Sequence, residues 1–292
     1  MKKFQVITDS TSDVEKPLRD ELGLDYAHMT VALNEKEYKA CLDWSGISAK
    51  EFYDAMRAGA STRTVLVQNG TFHEVFEKYL SQGLDVLYIA CSTKLSGSIN
   101  NAMIVADELK EKYPKNKILC LDSLRSNYAE GMIALTACKM ANEGKSIEET
   151  FAFLEEEKLK YQAYGSVGSL HWLKRAGRIK ASAAFFGNLL GVKPVIVEDA
   201  KGNNYAFKKV KGRKSSLDEV INCVKENIHP NSPIFIEHAD CPNDAEYMKE
   251  ALKDISKDIH ISYLGPIIGS AIGPDSFTIN FYGKKVTLAS ED

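Results

Sequence analysis

Four short apolar runs, at residues 4–8, 64–67, 85–91 and 117–121, alternate with helix-patterned stretches over the first half of this chain. The stretches lie at 15–22, 49–58, 71–80, 98–112 and 128–142. In 98–112, Ile99, Met103, Ala106 and Leu109 share one face, while Asp107, Lys110 and Glu111 fall elsewhere. Strand and helix in this rhythm predict an α/β fold. Its sheet is mostly parallel with helices on both faces, which makes three layers.

Near residue 162 the pattern changes. A Glu-rich helix at 147–160 ends, and strands are predicted at 164–168, 194–198, 205–210, 233–238, 260–264 and 277–282. Several alternate, as in Phe277-Thr278-Ile279-Asn280-Phe281. Helices fit at 169–175, 181–190, 215–227 and 243–254. This reads as a second α/β domain with a mixed or antiparallel sheet covered on one side. The 292 residues suffice for both, so the expected domains are 1–162 and 163–292.

Three of the predicted strands run into polar turns: TDSTSD, CSTKLSGS and LDSLRSN. An open parallel sheet binds ligands beyond the carboxyl ends of its strands, so these turns should gather along one rim. The plainer reading is helix capping, since Ser, Thr and Asp satisfy the orphan N–H groups of a first turn. The excess of hydroxyls in CSTKLSGS, with Gly97 beside Ser96, goes beyond what one cap needs.

Nothing nearby activates those hydroxyls. A serine nucleophile needs a base within hydrogen-bond reach, and neither GxSxG nor a Ser/His/Asp order is present. Walker and GxGxxG loops are absent, which argues against phosphate cradling and dinucleotides. Six scattered cysteines form no CxxC pair and read as free thiols without a zinc spacing. The histidines show no HxH or HExxH pattern; His73 and His238 read as surface or capping residues. A hydroxyl turn without a base is suited to holding. A helix N-terminus favours an anion such as a carboxylate, with Ser96 placed to donate and Thr64 able to add a second donor.

Hydrophobic residues make up 44% of the chain and charged ones 26%, enough for a packed core in a soluble protein. A net charge of −3 gives no general attraction to nucleic acid or anionic membrane. The opening MKKFQVITDS is not a signal peptide, and the longest apolar stretch, 181–197, is interrupted by Asn188, Lys193 and Pro194. The cytoplasm is the expected compartment. The basic turn LKRAGRIK leads into ASAAFFGNLLGV. It reads either as a charged loop before a core helix or as a greasy cavity wall with a cationic rim.

Taken in order, VITDSTSDV, ACSTKLSGSINNA, CLDSLRSNYAEGM, LKRAGRI, LLGVKPVIV, KVKGRKSSL and GPIIGSAIGP resemble the motifs of the DegV family of bacterial lipid-binding proteins, over essentially the whole chain. The resemblance implies two α/β domains holding a long-chain fatty acid, its carboxylate on hydroxyls and its acyl chain in an apolar tunnel. It further implies that some members are the carrier subunit of an ATP-dependent fatty acid kinase. Ser96 matches the Ser of the family's Leu-Ser-Gly element, Thr64 the Thr of a Lys-Thr-Ser-Gln-Pro-Ser-Pro stretch, and Arg178 the Arg of Gly-Gly-Arg-Ile. Two departures stand out. Val65-Leu66-Val67-Gln68-Asn69 replaces the family's residues after Thr64, and Ala271 and Asp275 occupy a His slot and a Gly slot near the C-terminus.

The expected lipid contacts are therefore Thr64, Thr93, Ser96, Gly97 and Ser270, with Ser270 a substitute donor beside Ala271 and Arg178 at the rim or facing a partner. The expected ligand is a long-chain fatty acid held by a non-catalytic carrier, without metal or cofactor. A kinase subunit is the implied partner; transient membrane contact is allowed, and nucleic acid is not expected. The alternatives are an enzyme acting on a small acidic or phosphorylated metabolite at the same rim, with TDSTSD and LDSLRSN supplying acids, and a partner-binding protein whose ligand is structural.

Overall fold

The structure is a computed structural model that describes residues 2–180 and 191–291. The first domain is built on a parallel sheet of β1 (Phe4–Asp9), β2 (Asp25–Ala27), β6 (Asp85–Ala90) and β7 (Ile118–Asp122), in the order β2-β1-β6-β7. Because side chains alternate along a strand, Ile7, Val86 and Tyr88 face one side and Val6, Leu87 and Ile89 the other. The first set packs against α3 (Asn69–Leu80) and α4 (Ser98–Lys112). The second packs against α5 (Asn127–Asn142) and α6 (Ile147–Glu157). The three layers follow from this division.

One run does not join that sheet. The segment expected as a strand at 64–67 is β5 (Thr62–Val65), the edge of a separate antiparallel sheet with β3 (Thr30–Leu33) and β4 (Lys36–Lys39), ordered β4-β3-β5. Only Val31, Ala32 and Leu33 of β3 are buried, so β4 lacks a strong apolar signal and was not predicted. With α2 (Ala49–Arg57) this small sheet forms a flap beside the second domain. Thr62 Oγ1 donates to the carbonyl of Ser270 at 3.2 Å, and Tyr53 Oη to that of Leu264 at 2.6 Å.

The second domain carries a six-stranded sheet ordered β10-β9-β8-β13-β11-β12. Its strands are β8 (Tyr161–Ser166), β9 (Val192–Glu198), β10 (Asn204–Lys211), β11 (Ile234–His238), β12 (Ile259–Tyr263) and β13 (Phe277–Tyr282). All pairs are antiparallel except β11 with β12. β8 starts at Tyr161 rather than Tyr164, because Tyr161 and Gln162 pair with Tyr282 and Phe281. Described helices are α7 (Leu170–Ala176), α8 (Arg213–Asn227), α9 (Pro242–Leu252) and α10 (Pro266–Ile272). The helix expected at 181–190 lies outside the described residues. His238 is buried at the end of β11 rather than on the surface; its Nδ1 accepts the N–H of Cys241, next to the start of α9.

The domains are joined by polar contacts. Arg125 is fully buried, and its N–H groups go to the carbonyls of Leu124, Leu159, Tyr161 and Asp199. Tyr128 stacks on Phe235 with ring centroids 4.0 Å apart. Ser92 Oγ donates to the carbonyl of Gly202 at 2.8 Å. No helix among the described residues is long and apolar enough to cross a membrane.

Candidate functional site

The three polar turns do meet at the carboxyl ends of β1, β6 and β7, but most of their groups bond one another. Thr11 Oγ1 lies 2.5 Å from Asp9 Oδ1 and 2.6 Å from Glu130 Oε2. A hydroxyl has one proton to give, so the second carboxyl must carry its own. Burial raises both Asp9 and Glu130, which keeps such a proton in place near neutrality. In LDSLRSN, Asp122 accepts from the N–H of Leu124, and Ser126 donates to Glu198. Two of the acids that the metabolite-enzyme reading would use, Asp9 and Asp122, are thus engaged within the fold. TDSTSD does not cap α1 (Lys16–Leu22) either, whose N-cap is Glu15 without a side-chain bond.

Between the flap, the rim and the second sheet lies a cavity of about 350 Å³, within the range of small-molecule sites. Met29, Leu66, Leu95, Leu173, Ile196 and Ile267 supply apolar wall. Thr64, Ser96, Gly97, Ser270 and Arg178 line the same cavity, together with Ala271. Thr93 does not. It is exposed, and its hydroxyl donates to Asp122 Oδ2 at 2.7 Å, which ties the turn to β7.

The remaining hydroxyls differ in what they can offer. Neither Thr64 Oγ1 nor Ser270 Oγ has a hydrogen-bond partner among the described residues. Ser96 Oγ accepts the N–H of Ser98 at 3.3 Å and lies 3.0 Å from Ser98 Oγ, which itself accepts the N–H of Val67. When Ser98 donates to Ser96, the relay leaves the Ser96 proton free for a ligand and polarises it. Ser96 therefore helps order the first turn of α4 and also lines the cavity. Gly97 meets only Leu66 Cδ2, at 3.5 Å, where a Cβ would stand, so protein packing does not force a glycine there.

Cations surround these hydroxyls. Arg63, Arg175 and Arg178 all line the cavity; Arg175 and Arg178 belong to the basic turn read as a cationic rim, while Arg63 was not singled out from the sequence. Arg63 pairs with Glu37 at 2.8 Å. Among the described residues Arg175 and Arg178 meet no carboxylate: Arg178 donates to the carbonyls of Leu95 and Ala176, and Arg175 stacks over Trp172 and donates to Thr62 Oγ1. Such a rim favours an anion. Sequence reading also missed Glu198, whose only signal was an acid closing the apolar strand VKPVIVE.

Asp275, which fills a family Gly slot, is not among the cavity-lining residues. Its φ is +61°, a left-handed conformation that explains the slot's preference for glycine. Its carboxylate is held by Arg57, so it adds no unpaired charge against an anion in the cavity. Gly269, by contrast, is required by space: a Cβ there would lie 2.2 Å from Tyr53 Oη.

Deeper in the seam, the carboxyls of Asp13 and Glu237 meet between the domains, and among the described residues no other side chain donates to Asp13 or to Oε1 of Glu237. Glu237 Oε2 accepts from Asn280 Nδ2 at 2.9 Å and Thr278 Oγ1 at 3.1 Å. Burial pushes Asp13 up to about 7 and Glu237 well above the usual carboxylate range, so the pair meets through a retained proton.

Comparison with known proteins agrees with this geometry. The family model described as "Uncharacterised protein, DegV family" matches residues 3–284. A DegV domain-containing protein of Clostridium perfringens is 38% identical over 97% of this chain and 98% of its own. The DegV domain-containing protein YteA of Lactococcus lactis is 31% identical over 97% and 98%. Among solved structures, one titled "Fatty Acid Binding of a DegV family Protein from Thermus thermophilus" superposes with a TM-score of 0.87 at 26% identity, covering 97% of this chain and all of that one. A DegV described as a fatty acid binding protein from Bacillus subtilis gives 0.83 at 25%, with 97% and 100% covered. With a family model spanning nearly all its residues and close relatives at full length, this chain belongs to the DegV family.

Proposed function

We propose that this protein binds one long-chain fatty acid and serves as its carrier. The observation that carries the reading is a single cavity in which apolar walls meet the hydroxyls of Thr64 and Ser270, unbonded among the described residues, the Ser96 hydroxyl, and an arginine rim. Hydroxyls and cations together suit a carboxylate; the apolar wall suits its chain. Burying hydrocarbon contributes about 0.8 kcal/mol per methylene, so the tail dominates affinity and the head-group contacts set orientation. The relatives of Thermus thermophilus and Bacillus subtilis, both named for fatty acid binding, support the reading.

The carrier would work in the cytoplasm and collect its ligand by brief contact with a membrane or donor. Presentation of the acid to an ATP-dependent kinase subunit is the role the family resemblance supports. In that role Ala271 stands where the resemblance places His, so the head group here relies on the hydroxyls and the arginine rim without an imidazole. Protein purified without delipidation and extracted with organic solvent should release fatty acid near one equivalent per chain by mass spectrometry. Empty protein that also fails to take up stearate would overturn the assignment.

A further inference from the structure

The cavity wall includes a second polar region, on elements other than those bearing Thr64, Ser96 and Ser270. Thr11, Ser126 and Asn127 reach it from the first domain, and Glu198 and Thr278 from the second. Glu198 is 2% exposed. Its Oε1 accepts the N–H of Ser126 at 2.7 Å and the Ser126 hydroxyl. Its Oε2 has no hydrogen-bond partner among the described residues.

Burial pushes the Glu198 carboxyl up to about 7, against the pull of Arg125, so near neutrality about half of it still bears a proton, and most of it does below about pH 6. Oε1 already takes two donors, which leaves Oε2 as the site of the proton. A buried O–H without an acceptor is costly, and native interiors rarely keep one without reason. This one belongs to a residue in the wall of the ligand cavity.

The chemistry around it selects the group it would meet. Asp9 and Glu130 share Thr11 close by, so a second carboxylate would be repelled there. An uncharged oxygen is not. It accepts from Glu198 and can exchange further hydrogen bonds with Thr278 or Asn127. The carboxylate itself is accounted for by the hydroxyls and arginines described above.

Resting on the fatty-acid reading, we propose that Glu198 recognises an oxygen borne part-way along the acyl chain, so that the preferred ligand is an oxygenated fatty acid carrying a hydroxyl or oxo group.

The test compares delipidated wild-type protein with stearate, hydroxystearates substituted at successive mid-chain positions, and the matching oxostearates, by calorimetry. At least one oxygenated probe should bind roughly fivefold to tenfold tighter than stearate, the worth of one net hydrogen bond. Glu198→Gln keeps an acceptor for Ser126 and a donor in place of Oε2, so it should retain the preference. Glu198→Met should bring the ratio close to one. Stearate binding as tightly as every oxygenated probe overturns the proposal alone, as does a preference that survives in Glu198→Met. No binding of stearate or any probe removes the fatty-acid reading and this proposal with it. Should Glu198→Met fail to fold, the wild-type ratio decides the matter unaided.

Discussion

Arg57 Nη2 lies 2.7 Å from Asp275 Oδ1, while its Nη1 lies 2.5 Å from Asp240 Oδ2. One guanidinium from the flap thus grips two turns of the second domain. It holds in place a residue whose left-handed backbone would suit glycine better.

That arrangement predicts opposing effects for Asp275→Gly. Relief of the left-handed strain gains about 1 kcal/mol, and loss of a half-exposed ion pair costs up to about 1 kcal/mol. Chemical denaturation should show net stability within about 1 kcal/mol of wild type, with stearate affinity unchanged because Asp275 does not line the cavity. A large loss of affinity would place its carboxylate in the ligand's environment after all.

Ser96→Ala should weaken stearate binding by roughly tenfold, the scale of one hydrogen bond to a charged group. Most of the affinity should survive, since the acyl chain supplies it. Affinity and orientation both unaltered would mean that Ser96 only orders the first turn of α4.

Thr93→Val serves as the contrast. Its hydroxyl binds Asp122 outside the cavity, so stearate affinity should stay within twofold while stability drops by about 1 kcal/mol. A loss of affinity matching that of Ser96→Ala would contradict the placement.

Stability should depend on pH in a definite direction. Asp13 and Glu198 are pushed up to about 7, and Glu237, Glu130 and Asp9 are raised as well, all chiefly by burial. Each binds its proton more tightly folded than unfolded. For Asp13 and Glu198 the stability this contributes is complete below the unfolded carboxyl pKa of about 4 and is lost as pH rises through about 7; for the other three it is likewise lost as pH rises through their raised folded pKa. Tm should therefore be higher near pH 5.5 than near pH 8, and Asp13→Asn should flatten the slope. A Tm that climbs over that interval would show that these carboxyls are ionised inside the fold.

The parts of the architecture legible in the sequence are those with a clean period. β1 and β6 read directly because both faces are buried, and β7, a partly buried edge strand, because its apolar run is continuous. The strands of the flap were missed or misassigned because β4 is largely exposed and carries Lys36, Glu37 and Lys39, without the alternation that marks a half-buried strand. At the site, Ser96 and Gly97 stood out as an excess of hydroxyls at a strand-to-helix turn. Thr93 shared that signal yet turns away, since composition does not reveal which way a side chain points. Arg175 was announced by the basic turn LKRAGRIK, but Arg63 and Glu198 join the site only through the folding of distant segments, so no local spacing marks them.

Arg125 bears on how the chain is made. Its positive charge sits in the interior with main-chain oxygens as its only hydrogen-bond partners among the described residues, and one of those, on Asp199, emerges from the ribosome long after the first sheet is complete. Until then the guanidinium has no dry place to go. The last of the bonds that hold Arg125 in the first domain is thus supplied by the second, which couples the finished packing of the one to the arrival of the other.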